Sequence, residues 1–295
     1  MIGQVGLVVH PRRDIEWALS KLMEWASTHA MAIGQVRIPG QSRTVADPVD
    51  VEACELVIAL GGDGTALAAL HAAAPASRPV LGIACGSIGV LTSVHSGELE
   101  SALERVTAGD WVPQRLPGLD ISVGGAHVAV AINDVAVVRN GAGQVIVAIN
   151  VDDELYARTA GDGLVVGTPL GSTAYTTAAG GPIVLPQVPS MVLTPLARHG
   201  GVSPPLVVGP ETRIGLVIES GYGGSRIEVD GQLVAERALD ATVRLREGYA
   251  TIVTLAGQER LLAGLRRRGL VADSPRVLVR DKRAGLDQLE KDHLG

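Results

Sequence analysis

The spacing of hydrophobic and polar positions changes about a third of the way along the chain. Over about the first 110 residues, short apolar runs alternate with segments whose apolar residues recur every three or four positions. Strands are predicted at 5–9, 35–38, 55–60 and 79–83. Helices are predicted by apolar faces at Leu19, Leu22, Met23 and Ala26, and at Leu99, Leu103 and Val106 after a Ser96 cap. Strands that alternate with helices favour a parallel sheet covered on both faces.

From Trp111 onward, one strand candidate follows another. They lie at 119–123, 127–131, 144–151, 213–219, 226–231, 242–247 and 250–255, and Asp230-Gly231 is typical of a two-residue hairpin turn. We therefore expect an α/β N-terminal domain over residues 1–112, with a parallel sheet and flanking helices, and an all-β, sandwich-like domain over 113–255. Residues 256–295 return to helical and charged character, and either pack back on the first domain or trail from about Asp273.

Composition narrows the functional classes. No apolar run reaches the roughly 20 residues that a membrane span needs, and the start of the chain has no secretory-signal pattern. Cys54 and Cys85 show neither metal-ligand spacing nor a disulfide framework, which favours a reducing cytoplasm. The net charge of −6 argues against nucleic acid and against anionic membranes as partners. The basic cluster 266–268 has no interleaved aromatic residues, so we interpret it as a solvated helix end.

A glycine-rich turn follows the strand at 55–60. Gly61, Gly62 and Gly64 leave the backbone open to an anionic ligand, and a helix beginning near Thr65 would add its N-terminal dipole. A carboxylate beside phosphates needs a cation or a reacting proton, so Asp63 is a candidate Mg²⁺-linked group or general base. The alternative is a tight turn whose aspartate caps the helix. No P-loop motif occurs in the chain.

Further candidates lie in the second half. Asn133 and Asp134, between two strand candidates, could offer an amide and a carboxylate to one ligand, or form a polar strand end. The segment 161–186 is rich in Gly, Ser, Thr and Pro around an apolar strand, and such long loops are more often functional than idle. Within it, residues 173–175 offer backbone polar groups, a small side chain and an aromatic edge that suit an adenine ring, or else are structural.

Together these motifs resemble the NAD kinase family, the ATP- or polyphosphate-dependent enzymes that make NADP from NAD. The matching segments are GGDGT at 61–65, PVLGIACGSIGVLT at 79–92, AINDV at 131–135, DGLVVGTPLGSTAYTTAAGGPIV at 162–184 and VDGQ at 229–232. The Gly-Gly-Asp-Gly signature is shared with diacylglycerol kinases, sphingosine kinases and phosphofructokinases, whereas the segment around GSTAY is far more specific. The resemblance implies the family's two-domain fold.

The resemblance also implies roles for individual residues. Asp63 would be the general base that activates the 2′-hydroxyl of the adenosine ribose. Gly61, Gly62, Gly64 and Thr65 would lie near the donor phosphates. Mg²⁺ or another divalent cation would bind to these phosphates. NAD would be held by Asn133, Asp134, Asp162, Ser172, Thr173, Ala174, Tyr175, Thr176 and Gln232. Family members are usually homodimers or homotetramers, so we expect a homo-oligomer.

The chain departs from the family pattern at several of these places. Ala84 stands where Asn is usual, Asp134 where Glu is usual, Leu170 where Thr is usual, and Ala160 where a basic residue is common. The leading hypothesis is an NAD kinase that uses ATP or polyphosphate. A second is a divergent paralogue that phosphorylates another nucleotide, nucleoside or small alcohol, and a third is a non-catalytic NAD-binding sensor.

Overall fold

The computed structural model describes residues 2–283. The strands are β1 (Gln4–Val9), β2 (Ala32–Gln35), β3 (Leu56–Gly61), β4 (Pro79–Ala84), β5 (Val94–His95), β6 (Val112–Val123), β7 (Ala126–Ala131), β8 (Asp134–Arg139), β9 (Val145–Val151), β10 (Glu154–Gly161), β11 (Gly163–Gly167), β12 (Met191–Leu196), β13 (Leu206–Val208), β14 (Arg213–Ser220), β15 (Ser225–Val229), β16 (Gln232–Glu236) and β17 (Asp240–Thr254). The helices are α1 (Glu16–Thr28), α2 (Asp63–Ala73), α3 (Leu99–Thr107), α4 (Tyr175–Ala178), α5 (Leu261–Arg267) and α6 (Pro275–Arg283).

The first part of the chain forms a parallel sheet between helices. Its strands lie in the order β4-β3-β1-β2, and every pair in this run is parallel. Leu7 points into one core with α1 and α3, whereas its neighbour Val8 points into another core with α2. Both faces of the strands are therefore covered, which explains why their sequences are apolar almost throughout.

The second part is a β-sandwich. One layer is a six-stranded sheet in the order β13-β12-β11-β8-β15-β16, and the other consists of β10, β9, β14, β17, β6 and β7. Alternate residues of both layers, such as Val137, Ile149 and Leu216, share one buried cluster. The expected fold class, an α/β part followed by a sandwich-like β part, is confirmed.

The two parts share one continuous sheet through β17. Residues 241–246 of this strand pair with β6, and residues 240–244 pair with β14. Farther along, Thr251 and Ile252 pair in parallel with Pro79 and Val80 of β4. A single strand thus fixes the orientation of the sandwich relative to the parallel sheet.

Several strand and helix predictions need correction. The strand predicted at 35–38 lies at Ala32–Gln35, and the two predicted at 242–247 and 250–255 are one strand, β17. Strands β5, β8, β10, β12, β13 and β16 had no separate prediction. Met23 is exposed, because Trp25 rather than Met23 packs on the core side of α1. The His95 side chain, not Ser96, accepts from the Gly97 N–H at the start of the turn before α3.

Residues after β17 contact the first part of the chain. Leu265 of α5 is fully buried, and Arg267 donates to the Ile88 carbonyl at 3.1 Å. The prediction for the C-terminal segment extends to residue 295, and its last part, 284–295, lies outside the described residues. Among residues 2–283, no helix combines the length and the apolar character that a membrane crossing requires.

Replacing Gly163 in the central strand β11 tests this packing. Gly163 has φ +149, and a Cβ there would lie 1.9 Å from the Val137 carbonyl oxygen. We expect Gly163→Ala to lower the free energy of unfolding by about 2 kcal/mol or more, because backbone strain and a main-chain clash add. Gly209→Ala is the control, since nothing lies within 4 Å of a Cβ there. Urea denaturation measures both, and equal stabilities would contradict the assigned geometry.

Candidate active site

The glycine-rich turn lies at the carboxyl edge of the parallel sheet. Gly61 ends β3, Gly62 is the extended N-cap, and α2 begins at Asp63 rather than near Thr65. A Cβ at Gly61 would lie 2.3 Å from the Thr65 hydroxyl oxygen, so the turn can close only around glycine. Thr65 is buried, and within residues 2–283 its hydroxyl has no hydrogen-bond partner. Gly64 is exposed at the first turn of the helix.

The Asp63 carboxylate bonds to another loop instead of capping its own helix. Oδ2 accepts from the Val90 N–H at 2.8 Å, and Oδ1 accepts from the N–H groups of Leu91 at 2.9 Å and Thr92 at 3.1 Å. The Thr92 hydroxyl adds a bond to Oδ1 at 3.1 Å. The alternative of a simple cap therefore does not describe these contacts. The three donors on Oδ1 share its two acceptor positions, whereas Oδ2 has one donor and keeps a position for a further partner.

Close packing holds the loop that receives Asp63. A Cβ at Gly89 would lie 1.9 Å from Asp63 Oδ1, and one at Gly82 would lie 2.1 Å from the Leu91 carbonyl oxygen. These glycines let the loop after β4 close over the carboxylate. Arg13, from the loop after β1, reaches the same edge, where a Cβ on Gly62 would lie 3.5 Å from its guanidinium.

A turn between β7 and β8 forms the second part of the site. The Asp230 carboxylate accepts from the backbone N–H groups of Ile132 at 2.7 Å, Asn133 at 2.7 Å and Asp134 at 2.9 Å. His71 Nε2 of α2 lies 2.6 Å from Asp230 Oδ2. The turn that presents Asn133 and Asp134 is thus held by one carboxylate and connected to the helix that begins with Asp63.

The segment around GSTAY packs directly on this turn. The Thr168 N–H donates to the Asn133 carbonyl at 2.8 Å, and the Thr168 hydroxyl donates to the Ile132 carbonyl at 2.7 Å. A Cβ at Gly171 would lie 1.9 Å from the Asn133 carbonyl oxygen. Leu170 and Ile132 also share a core cluster with α2. The structure therefore brings together the three sequence segments of the predicted site.

Residues 172–176 differ in what they expose. The Ser172 hydroxyl is buried, donates to the Pro169 carbonyl at 2.6 Å and accepts from the Val184 N–H at 2.8 Å. Thr173 donates to the Leu170 carbonyl at 2.9 Å. The Thr176 hydroxyl is buried and unpartnered within the described chain. Ala174 and Tyr175 are exposed, so of these five residues they have the most accessible side chains.

Several charged groups surround Asp134. Its side chain is buried, and burial, followed by the neighbouring charges of Asp230 and Glu228, raises its pKa to about 7. Burial and the Glu228 and Asp134 charges likewise raise the pKa of the Tyr175 hydroxyl. A carboxyl group that titrates near neutral pH can donate a hydrogen bond to a ligand hydroxyl when protonated and accept one from it when ionised.

Asp162 is already engaged in an ion pair. Arg139 of β8 donates through Nε to Asp162 Oδ1 at 2.5 Å, with both side chains partly exposed. The Asp162 charge also raises the pKa of the Tyr175 hydroxyl, although less than the charges of Glu228 and Asp134 do. Asp162 therefore belongs to the same charged surface as the Asn133–Asp134 turn.

A cavity of about 1090 Å³ lies between the two parts of the chain. Its lining includes Gly64 and His71 from α2, and Asp230 and Gln232 from the β15–β16 hairpin. Gln232 is exposed and lines this cavity. The cavity joins the glycine-rich turn to the sandwich.

Sequence reasoning missed His71, Asp230 and Arg139. Asp230 carried a signal for its turn, and indeed Asp230 and Gly231 have φ +48 and +76, but nothing in the sequence showed where its carboxylate points. His71 is one polar residue in an alanine-rich helix. Across residues 2–283, no three His, Cys, Asp or Glu side chains converge as a metal site.

Comparison with known proteins agrees with this arrangement. The ATP-NAD kinase N-terminal domain model matches residues 12–111, and the ATP-NAD kinase C-terminal domain model matches 132–256. An NAD kinase of Carboxydothermus hydrogenoformans is 35% identical over 186 residues, which are 61% of this chain and 66% of that protein. NAD kinase 2 of Streptomyces coelicolor is 30% identical over 224 residues, covering 74% of this chain and 73% of that protein.

The chain spans about two-thirds of the length of the first curated relatives that it matches. Among solved structures, yeast NADH kinase complexed with NADH superposes with a TM-score of 0.79 at 21% identity, over 92% of this chain and 89% of that one. That likeness shows the shared fold. The two matched domain models and the Streptomyces relative show more: this chain belongs to the NAD kinase family.

Proposed function

We propose that the protein transfers a phosphoryl group from ATP to the 2′-hydroxyl of the adenosine ribose of NAD, giving NADP. The carrying observation is the placement of Asp63, which is held at a glycine-rich helix start by four hydrogen bonds and keeps one acceptor position on Oδ2. A fixed carboxylate beside an open backbone suits a base that works next to phosphates. Membership of the family supports the same chemistry.

The proposed step is a direct displacement. The ribose hydroxyl oxygen attacks the terminal phosphorus of ATP and forms a new P–O bond, while the bond to the ADP oxygen breaks. Asp63 Oδ2 accepts the hydroxyl proton. Gly61, Gly62, Gly64 and Thr65 lie at the helix start, where backbone N–H groups and the helix dipole favour the phosphate charge.

Mg²⁺ fits this site as a cation bound by the donor phosphates rather than by a set of protein side chains. Within residues 2–283, no three His, Cys, Asp or Glu side chains converge as a metal site, and the free acceptor position of Asp63 is assigned to the hydroxyl proton. The donor phosphates would therefore supply the ligands, which suits the preference of Mg²⁺ for phosphate oxygens and water. When bound, the cation would neutralise charge on the donor. Polyphosphate is an alternative donor with the same chemistry at its phosphates.

The acceptor would lie along the turn after β7. Asn133 and Asp134 would hold the adenosine side, and Thr173, Ala174 and Tyr175 would line the adenine pocket, supported by Ser172 and Thr176 from inside. Asp162 would face the nicotinamide end, and Gln232 would contact the nucleotide from the hairpin. The packing of Gly171 against Asn133 supports this grouping, because it places both segments in contact.

A second candidate is transfer to a different acceptor, with NADH the first to test. The observations that favour it are Asp134, one methylene shorter than the usual Glu, and the basic residue missing at Ala160. At Asp162, Arg139 supplies a positive charge from a different strand. A non-catalytic NAD-binding sensor is the third candidate. We also propose a cytoplasmic homo-oligomer, following the family.

Asp63→Asn tests the base. We expect turnover of NAD with Mg²⁺-ATP to fall by about 10²–10⁴-fold, because the amide cannot take the proton. Asp14→Asn is the control, since Asp14 is an exposed residue of the nearby β1–α1 loop whose carboxylate accepts from the Glu16 N–H. NADP formation measures both variants, and thermal unfolding monitors the fold. Full activity of folded Asp63→Asn would contradict the assignment.

The acceptor is tested by a panel. Purified protein is incubated with Mg²⁺-ATP or polyphosphate and with NAD, NADH, nucleosides or sugars. We expect NADP from NAD to form with the highest kcat/KM. A better acceptor would favour the divergent paralogue, and tight NAD binding without transfer from any donor would favour the sensor.

Asp134→Asn tests the charge environment of the turn. In wild type, the folded pKa of about 7 exceeds the ordinary 3.8, so the folded state binds one more proton than the unfolded state between these pH values. The Asp134 contribution to the free energy of unfolding therefore falls by up to about 1.4 kcal/mol per pH unit as pH rises from 4 to 7. We expect the free energy of unfolding of Asp134→Asn not to show this decline with rising pH. Urea denaturation at several pH values measures it, and identical slopes would refute the raised pKa.

A further inference from the structure

The Asp230 carboxylate is saturated by donors from two parts of the chain. Oδ1 accepts from the N–H groups of Asn133 and Asp134, and Oδ2 accepts from the N–H of Ile132. The fourth contact is His71 Nε2, 2.6 Å from Oδ2. Since three N–H groups already require an accepting carboxylate, His71 Nε2 is the donor of the fourth bond. The Asp230 side chain is only 2% exposed, so water does not compete for these positions.

The carboxylate is itself fixed by the hairpin. Asp230 follows β15, which pairs with β8 in the register Val229 with Val135. Its own N–H donates to the Asp134 carbonyl at 2.9 Å. The side chain therefore continues the β15–β8 pairing past the end of the strand, and the turn at 132–134 cannot move without Asp230.

His71 connects that assembly to the helix of Asp63. The two residues are eight positions apart on α2, about 12 Å along its axis at 1.5 Å per residue. A helix is stiff over this length, so fixing the position of His71 also fixes the position of Asp63. In contrast to Asp230, the His71 side chain is 34% exposed and opens into the cavity of about 1090 Å³.

We propose that His71 and Asp230 form a positioning pair that holds the Asn133–Asp134 turn at a fixed distance from Asp63, and so places the acceptor hydroxyl against the base. This inference rests on the proposed function. His71 and Asp230 act through the turn and the helix rather than on the reacting atoms. Loss of the His71 bond leaves three N–H donors on Asp230 and the packing of Ile132 on α2, so the fold survives while the turn loses its hydrogen-bonded connection to α2.

His71→Ala tests the pair, with His71→Gln as a conservative variant whose amide N–H can replace Nε2. For His71→Ala we expect kcat to fall and the KM for NAD to rise about tenfold each, with the KM for ATP within twofold, because a small misplacement affects the acceptor end. His71→Gln should recover most of both losses. His127→Ala is the matched control, since His127 Nε2 pairs with Asp120 at 3.3 Å on strands β6 and β7 and leaves the site untouched. It should leave every constant unchanged.

Backbone hydrogen exchange provides a second measurement that needs no substrate. We expect the amides of residues 132–134 to exchange at least tenfold faster in His71→Ala than in wild type or His127→Ala. Unchanged amide exchange at residues 132–134 would overturn the pair. So would a loss of activity that raises the KM values for NAD and ATP equally, follows a loss of stability and is not recovered in His71→Gln. If the wild type makes no NADP, the proposed function fails, and the exchange result still decides whether His71 holds the turn.

Discussion

Strand β17 is the constraint on which the arrangement of the molecule depends. Its first residues belong to the sandwich, and Thr251 and Ile252 complete the parallel sheet beside β4. Backbone hydrogen bonds along one strand allow little freedom of rotation, so the two parts of the chain meet in one geometry. Helix α2, which begins at the glycine-rich turn, and strand β7, which leads into the 132–134 turn, can therefore lie on different parts of the chain and still line one cavity.

The same hydrogen-bonding arrangement occurs twice in the site. Asp63 and Asp230 each accept from three consecutive backbone N–H groups of a distant loop, at 90–92 and at 132–134. Such groups form an anion-binding concavity, which a carboxylate fills from within the protein. In each case these bonds give a defined shape to a segment that connects two strands. The glycines packed on these loops, Gly89 and Gly171, are the other half of this arrangement, because a Cβ would occupy the same space.

Much of the fold could be predicted from the sequence, because apolar runs and periodicity mark buried elements. The strands at β1, β3 and β4 were found this way, as was the hairpin at Asp230-Gly231. Half-buried strands such as β10 and β16 were missed, since their burial pattern is irregular. The α2 start was placed two residues late because glycine is a poor helix former, yet Gly62 serves as its N-cap.

The site could be predicted only as far as single segments carry a signature. The segments around Asp63, Asn133 and Tyr175 were recognised, but their mutual contacts were not, because the partners are backbone groups far away in sequence. The bond from Val90 to Asp63 spans 27 residues, and that from His71 to Asp230 spans 159. The charge of Arg139 beside Asp162 was invisible for the same reason. What Ser172 contributes also depends on burial, which composition does not reveal.

The pairing of β17 with β4 also has a consequence for synthesis on the ribosome. The four parallel strands β1 to β4 are complete in sequence by residue 84, but the strand that pairs with Pro79 and Val80 at the edge of β4 lies at 251–252. Until that strand emerges, part of the β4 edge remains unpaired and open to other extended chains. The α/β part therefore cannot finish folding as an independent unit during translation, and its last contacts form together with those of the sandwich.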